Sequence, residues 1–504
     1  MIRGSWASLR RLIEAEPGLL PLLGALLIFI GLGMAQALAT PPLGSIDERV
    51  HFSYALEVRD GNLPEIETPV REEIVGLSPK KSRNTIWVSN HPPLFYAAQA
   101  LAIGEVESED DLPEAFFRGR LLSIVFTTAG LCFAYLCLRE LFGPRSPLPA
   151  LVIALVATVP HFTHIMSLIH NDTLAFLTGT AALYYAILLL TRGLDAGRYL
   201  GLLLATSGAL ACRISGLLVV VAGLTALVIA CFRDVSGGWA RKLGLCVLAV
   251  AGIVLALALS SGWFYLRNIE LYGDLSGAAV LFEKFDREPH GSVITTLNQR
   301  WIWHSLAKQL GYRYSMVGLI RPRARVLLNA LYIAALAGFV VDAVSRLRAR
   351  ERADFELQRL WAALWSPAVL SVSMLVAVFV LNLVSIFAFR SAGGYPHARY
   401  LLPYLWILVV LFAIGLVRFG KWLPVFALVL TVVLQLLSLD EFVARVHRVE
   451  GKAMRDLLLV DGPTIPWGAR HLVTVALACV TVGLSLVITK LPWPDDPRPD
   501  SLTR

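Results

Sequence analysis

Asp47 and Glu48 stand side by side shortly after an apolar run, Gly18 to Leu38, that is long enough to cross a bilayer. His51 falls within one helical turn of both. A carboxylate kept at a membrane surface, partly withdrawn from water and next to an imidazole, is equipped to act as a general base. With Ser45 as N-cap the pair would occupy the first turn of a short helix, where acids are also common simply because they suit the helix dipole. Asp172 is a second acid, in the short turn His170-Asn171-Asp172 between two apolar runs. It either faces Asp47 across the same surface or caps the run that follows.

The cations narrow the chemistry. Arg267 ends the seventh apolar run, His397, Arg399 and Tyr400 open the tenth, and Arg213 lies between two runs with almost no loop. His91 begins His91-Pro92-Pro93-Leu94-Phe95-Tyr96, where two prolines restrict the backbone and hold the imidazole in one place. Positive groups at headgroup depth are what a lipid-borne phosphate or diphosphate requires. Snorkelling is the plainer account of such arginines, and it fits Arg213 least well.

These residues need elements to carry them. With 504 residues, 56% of them hydrophobic and 16% charged, the composition is that of an all-α polytopic membrane protein. Apolar runs at about 18–39, 119–138, 148–168, 172–191, 198–212, 214–232, 243–263, 326–344, 364–388, 399–417, 422–439 and 471–489 predict about twelve spans. The formal charge of +8 comes from short Arg and Lys clusters between runs, which speaks for topology rather than nucleic acid. Placing Arg139–Arg145, Arg192–Arg198, Arg233–Lys242, Arg346–Arg359 and Arg418–Lys421 inside makes both termini cytoplasmic. The first run, behind Arg3, Arg10 and Arg11, then reads as a signal anchor. The outer face receives a long loop, 40–118, and a second segment, 264–325. Within the latter, Thr295 to Ile320 alternates aromatic and basic residues like a helix lying in the interface. Residues 1–490 form one transmembrane unit, and a Pro- and Asp-rich cytoplasmic tail, 491–504, is expected to be disordered. Six cysteines within or beside apolar runs offer no disulfide framework.

In this order the motifs resemble the GT-C class of integral-membrane glycosyltransferases, in particular glycosyltransferase family 39, with its protein O-mannosyltransferases and lipid A aminoarabinose transferases. The resemblance rests on Asp47-Glu48 after the first span, His91 to Tyr96 late in the first loop, and Phe117-Arg118-Gly119-Arg120-Leu121 opening the second span. Asn171-Asp172, the segment Leu266 to Asp274 and the run Arg399 to Pro403 continue it. It implies a GT-C-like bundle whose first extracytoplasmic loop contains interfacial helices. It also implies an inverting transfer of a sugar from a polyprenyl-phosphate donor to an acceptor hydroxyl on a lipid, glycan or protein. Asp47 would be the base, with Glu48 as runner-up and Asp172 as a further catalytic acid. His51, His91, Arg213, Arg267, His397, Arg399 and Tyr400 would bind substrate, with Arg267, Arg399 and His397 facing the leaving phosphate. No cofactor is required by these residues. Metal use differs within the class, leaving a divalent ion open. The composition leans towards a bacterial inner membrane.

Two rivals remain at this level. A transporter or flippase of a lipid-linked or anionic substrate would keep acids near the bilayer midplane, whereas no Asp or Glu falls well inside a predicted span. A metal-dependent enzyme would use His161 and His164, spaced for one helix face, with His170 and His91, and Asp172 could complete the site.

Overall fold

The computed structural model describes residues 16–40, 47–71, 74, 84–106, 108, 111–312, 322–351, 365–448 and 469–493. Ser45, the basic residues of the N-terminus, Arg313 and Tyr314 of the expected interfacial helix, and tail residues 494–504 lie outside them. Among the described residues ten helices are long and apolar enough to span a membrane. They form because a chain in lipid must satisfy its backbone polar groups within each segment. An eleventh span, expected as one piece over 148–168, is a broken pair, Leu148–Ala157 and Pro160–Met166, bent by 73°. Pro160 has no N–H to donate and pushes Val159 into an extended conformation, φ −71° and ψ 118°. The carbonyls freed at the break find other donors, Gln435 Nε2 at 2.6 Å from Thr158 O and Thr163 Oγ1 at 2.9 Å from Ala157 O. The run expected at 198–212 is the 17-residue helix Ala196–Cys212.

The first span, Leu19–Ala39, packs against the last, Ala469–Lys490, through glycines that let the backbones meet. A Cβ on Gly24 would lie 2.7 Å from Gly483 O, and one on Gly31 would lie 2.5 Å from Ala476 O. The seventh span continues past its expected end at 263. It runs from Trp239 to Tyr272 through a π turn at Ala258–Gly262, so the polar segment that follows begins later than its hydropathy indicates.

The described part of the first long loop folds on its own core. Helices Glu48–Arg59 and Leu94–Ile103 join the start of the second span, Leu112–Phe142, around buried Phe52, Tyr54, Phe95, Tyr96 and Phe116. Phe52 stacks on Phe116 and Tyr54 on Tyr96, with ring centres 3.9 and 3.7 Å apart. The extended end of the seventh span fastens this layer. Tyr272 OH accepts from Ile66 N at 3.0 Å, and Asn268 Nδ2 donates to Asn90 O at 3.0 Å. Asn90 Nδ2 in turn donates to Ser276 O at 2.6 Å. Of the stretch Thr295 to Ile320 expected as an interfacial helix, Arg300–Tyr312 is helical, with Trp301 and Trp303 exposed.

Candidate active site

The helix after the first span begins at Glu48, and its N-cap is Asp47. Asp47 takes the left-handed conformation, φ 62°. That geometry suits Asp or Asn better than any other non-glycine residue. It turns the two neighbouring acids in different directions. Glu48 is fully buried and bound on both oxygens by Arg120, at 2.9 and 2.7 Å. Arg120 also donates to Ala37 O at 2.8 Å and Thr40 O at 2.6 Å, the open carbonyls that end the first span. Glu48 Oε1 accepts from Ile169 N at 3.2 Å. The first span, the first loop, the second span and the bend before Asp172 therefore meet on one ion pair.

Asp47 remains partly accessible and pairs with Arg399. Arg399 leaves a 3₁₀ turn, Ala398–Tyr404, that opens the tenth expected span. Gln309 Oε1 of helix Arg300–Tyr312 accepts from Ala398 N at 3.0 Å and holds this turn. Arg399 Nη1 also contacts His170 Nε2 at 3.2 Å. The 73° bend sets His170 and Asp172 here. Asp172 is fully buried, pairs with Arg213 and lies 3.0 Å from His170 Nδ1. Tyr400 lies under both guanidinium groups, 5.2 Å from Arg399 and 5.7 Å from Arg213.

The rest of the floor is aromatic and imidazole. His51 Nδ1 meets Tyr96 OH at 2.9 Å, and its ring centre is 4.4 Å from that of His170. Burial, then neighbouring His170, holds His51 well below the usual imidazole range, and burial followed by Arg213 does the same for His91. These rings are neutral at neutral pH. The site is then two carboxylates and two guanidinium groups packed with uncharged imidazoles.

Not every expected residue joins it. Arg267 donates to Leu63 O and Pro64 O, each at 3.2 Å, and so secures the loop instead of facing Asp47. His397 stands beside Tyr395 and Tyr400, with ring centres 4.6 and 6.1 Å away, at the edge of the group. His164 Nδ1 lies 3.3 Å from Gln36 Oε1, within the bent pair. Among the described residues no three His, Cys, Asp or Glu side chains gather as a metal-ligand set, so the His161 and His164 spacing does not develop into one. Arg120 and Tyr96 join the group although neither was expected as a site residue. An arginine at the start of an apolar run was the available signal for the first; Tyr96 carried none beyond its place in the His91 motif.

A family model described as dolichyl-phosphate-mannose-protein mannosyltransferase matches residues 90–265 of the 504. Among solved structures, ArnT from Cupriavidus metallidurans bound to undecaprenyl phosphate is 15% identical, with 92% of this chain and 76% of that one covered at a TM-score of 0.44. Archaeal oligosaccharyltransferase AglB from Archaeoglobus fulgidus, in complex with an inhibitory peptide and a dolichol-phosphate, is 11% identical, with 95% and 56% covered at a TM-score of 0.43. The chain thus spans little more than half the length of that archaeal protein. Comparison with curated proteins gives no match. The stretch matched by the family model contains the His91 motif, Arg120, Asp172 and Arg213, so over those residues this integral membrane chain is similar to the dolichyl-phosphate-mannose-protein mannosyltransferases.

Proposed function

We propose that this protein moves a sugar from a polyprenyl-phosphate donor to an acceptor hydroxyl with inversion, on the extracytoplasmic face of a bacterial inner membrane. In this reading Asp47 takes the proton of the acceptor hydroxyl as its oxygen attacks the anomeric carbon, and the bond to the lipid phosphate breaks. The electron pair of that bond leaves on the phosphate.

The observation that carries the proposal is the state of Arg399. Its Nη1 serves Asp47 and His170, yet its buried Nε has no acceptor among the described residues. A buried donor without a partner costs about 1–3 kcal/mol, and a phosphate oxygen is an acceptor that would relieve it. Arg213 and Tyr400 would border the same anion, with His51, His91 and His397 around it. Charge developing on the leaving phosphate is stabilised by donors already in place. Glu48, saturated by Arg120, serves as structure, so the base is Asp47. Asp172 orients Arg213 and His170. Arg267 supports the site through the loop.

The test compares wild type with Asp47→Asn. Asparagine retains the left-handed backbone and loses the base. Binding of polyprenyl-phosphate sugars should persist while kcat falls by about 10²–10⁴. Transfer at the wild-type rate by the variant would reject Asp47 as base. No binding of any lipid-linked sugar by the wild type would reject the donor class.

A further inference from the structure

His170 touches a charged group through each of its nitrogens. Nδ1 is 3.0 Å from Asp172 Oδ2, and Nε2 is 3.2 Å from Arg399 Nη1. The ring is 3% exposed, so water does not compete for either contact. Guanidinium groups only donate. Nε2 must then offer its lone pair to Arg399, and the single proton of a neutral ring must sit on Nδ1, on the side of the Asp172 carboxylate. The Asp172 backbone N–H also lies 3.3 Å from Nδ1. It would need a lone pair there, which would move the proton to Nε2 and oppose it to an arginine N–H. The guanidinium decides between the two: it is a cation that can only donate, it lies nearer than that N–H, at 3.2 Å, and the tautomer it requires leaves Nδ1–H beside a carboxylate oxygen 3.0 Å away.

We infer that His170 is a positioning residue for the transfer, held beside Asp172 as the neutral Nδ1–H tautomer so that its Nε2 fixes the direction in which Arg399 presents itself to Asp47 and to the leaving phosphate. The inference rests on the proposed role of Asp47. The chain Asp172, His170, Arg399, Asp47 joins the turn before the fourth expected span, the start of the tenth and the first loop, three places far apart in sequence. Misplacing a reacting group by about 1 Å costs on the order of 10² in rate, which is the scale of effect expected from releasing Arg399.

Protonation would undo the arrangement. The ring is faced by Arg399, by Arg213 through Asp172, and by His51, His91 and His397, with Asp172 the carboxylate in contact. A second proton would point Nε2–H at a guanidinium N–H and add a cation beside two others. Burial, then Arg399, keeps that proton off, holding the ring well below the usual imidazole range. The rate should therefore show an acid limb to which His170 contributes.

Two measurements decide the matter. In protein labelled with ¹⁵N-histidine and reconstituted in lipid, the signals lost in His170→Gln should report a neutral ring protonated on Nδ1 at pH 7. Protonation on Nε2, or on both nitrogens, overturns the inference whatever the enzyme does. In the transfer assay His170→Ala should lose about 10² in kcat with little change in KM for the donor. His170→Gln, whose carbonyl can accept from Arg399 but cannot titrate, should recover much of that loss and show a shallower acid limb, the part contributed by Asp47 as base remaining. A wild-type kcat in His170→Ala, or an unaltered acid limb in His170→Gln, overturns it too. Failure of the Asp47 reading would appear separately, as unimpaired transfer by Asp47→Asn, and the nitrogen spectra would still decide the tautomer.

Discussion

The left-handed backbone at Asp47 is where sequence and chemistry constrain each other most closely. Only Gly, Asn and Asp adopt φ near 62° readily, and only Asp adds a carboxylate. Stability measurements should separate the two requirements. Asp47→Asn should melt close to wild type, whereas Asp47→Val, β-branched at a positive φ, should cost about 1–3 kcal/mol; equal melting of both variants would contradict the conformation. The buried imidazoles yield a pH prediction of known sign. His51, His91 and His170 are held below their ordinary value, chiefly by burial. The folded protein therefore refuses protons that the unfolded chain accepts below about pH 6.5. Stability should be intact above that pH and decline as pH falls through it, by up to about 1.4 kcal/mol per pH unit for each ring. Unfolding in detergent between pH 8 and 5 measures the slope, and His51→Gln should reduce it. A flat profile would mean that the rings take up protons while folded.

At the scale of elements, the ion pair of Glu48 and Arg120 is the joint between four segments. Removing one partner leaves a buried charge alone, so Arg120→Ala should destabilise by about 3–5 kcal/mol. The double variant Arg120→Met with Glu48→Leu should regain part of that stability but not activity, because Asp47 and the bend before Asp172 would lose their common anchor. If the double variant were as active as wild type, the joint would contribute stability alone. The clamp at the end of the seventh span makes a milder prediction. Asn268→Ala removes donors to Asn90 O and Leu275 O, both at 3.0 Å. It should cost about 1–3 kcal/mol and speed proteolysis of the first loop, and an unchanged cleavage rate would show that the remaining bonds suffice to hold it.

For the whole molecule the open prediction is orientation. Asn62 and Gly238 are exposed and lie at opposite ends of the proposed topology. A membrane-impermeant maleimide added outside intact cells should label Asn62→Cys and not Gly238→Cys. The reverse pattern would invert the protein and with it the face on which transfer occurs.

Much of this architecture was legible in the chain. Lipid imposes one rule, backbone bonds satisfied within a helix, and hydropathy reports it directly, so ten of the expected spans appear, among the described residues, as helices long and apolar enough to cross a membrane. The break at Pro160 was foreshadowed by the proline but not its 73° bend, which also depends on Gln435, distant in sequence, meeting the free Thr158 carbonyl. The residues that could do chemistry were likewise visible, since acids, histidines and arginines are conspicuous on an apolar chain. Their partners were not. Whether Asp47 or Glu48 stays accessible depends on which of them Arg120 reaches, and whether Arg267 or Arg399 faces the carboxylate depends on where a loop and a 3₁₀ turn come to rest. Residue type and local spacing determined the spans and the candidates. Only the tertiary structure paired the charges, because an ion pair is set by distances of a few ångströms between segments hundreds of residues apart.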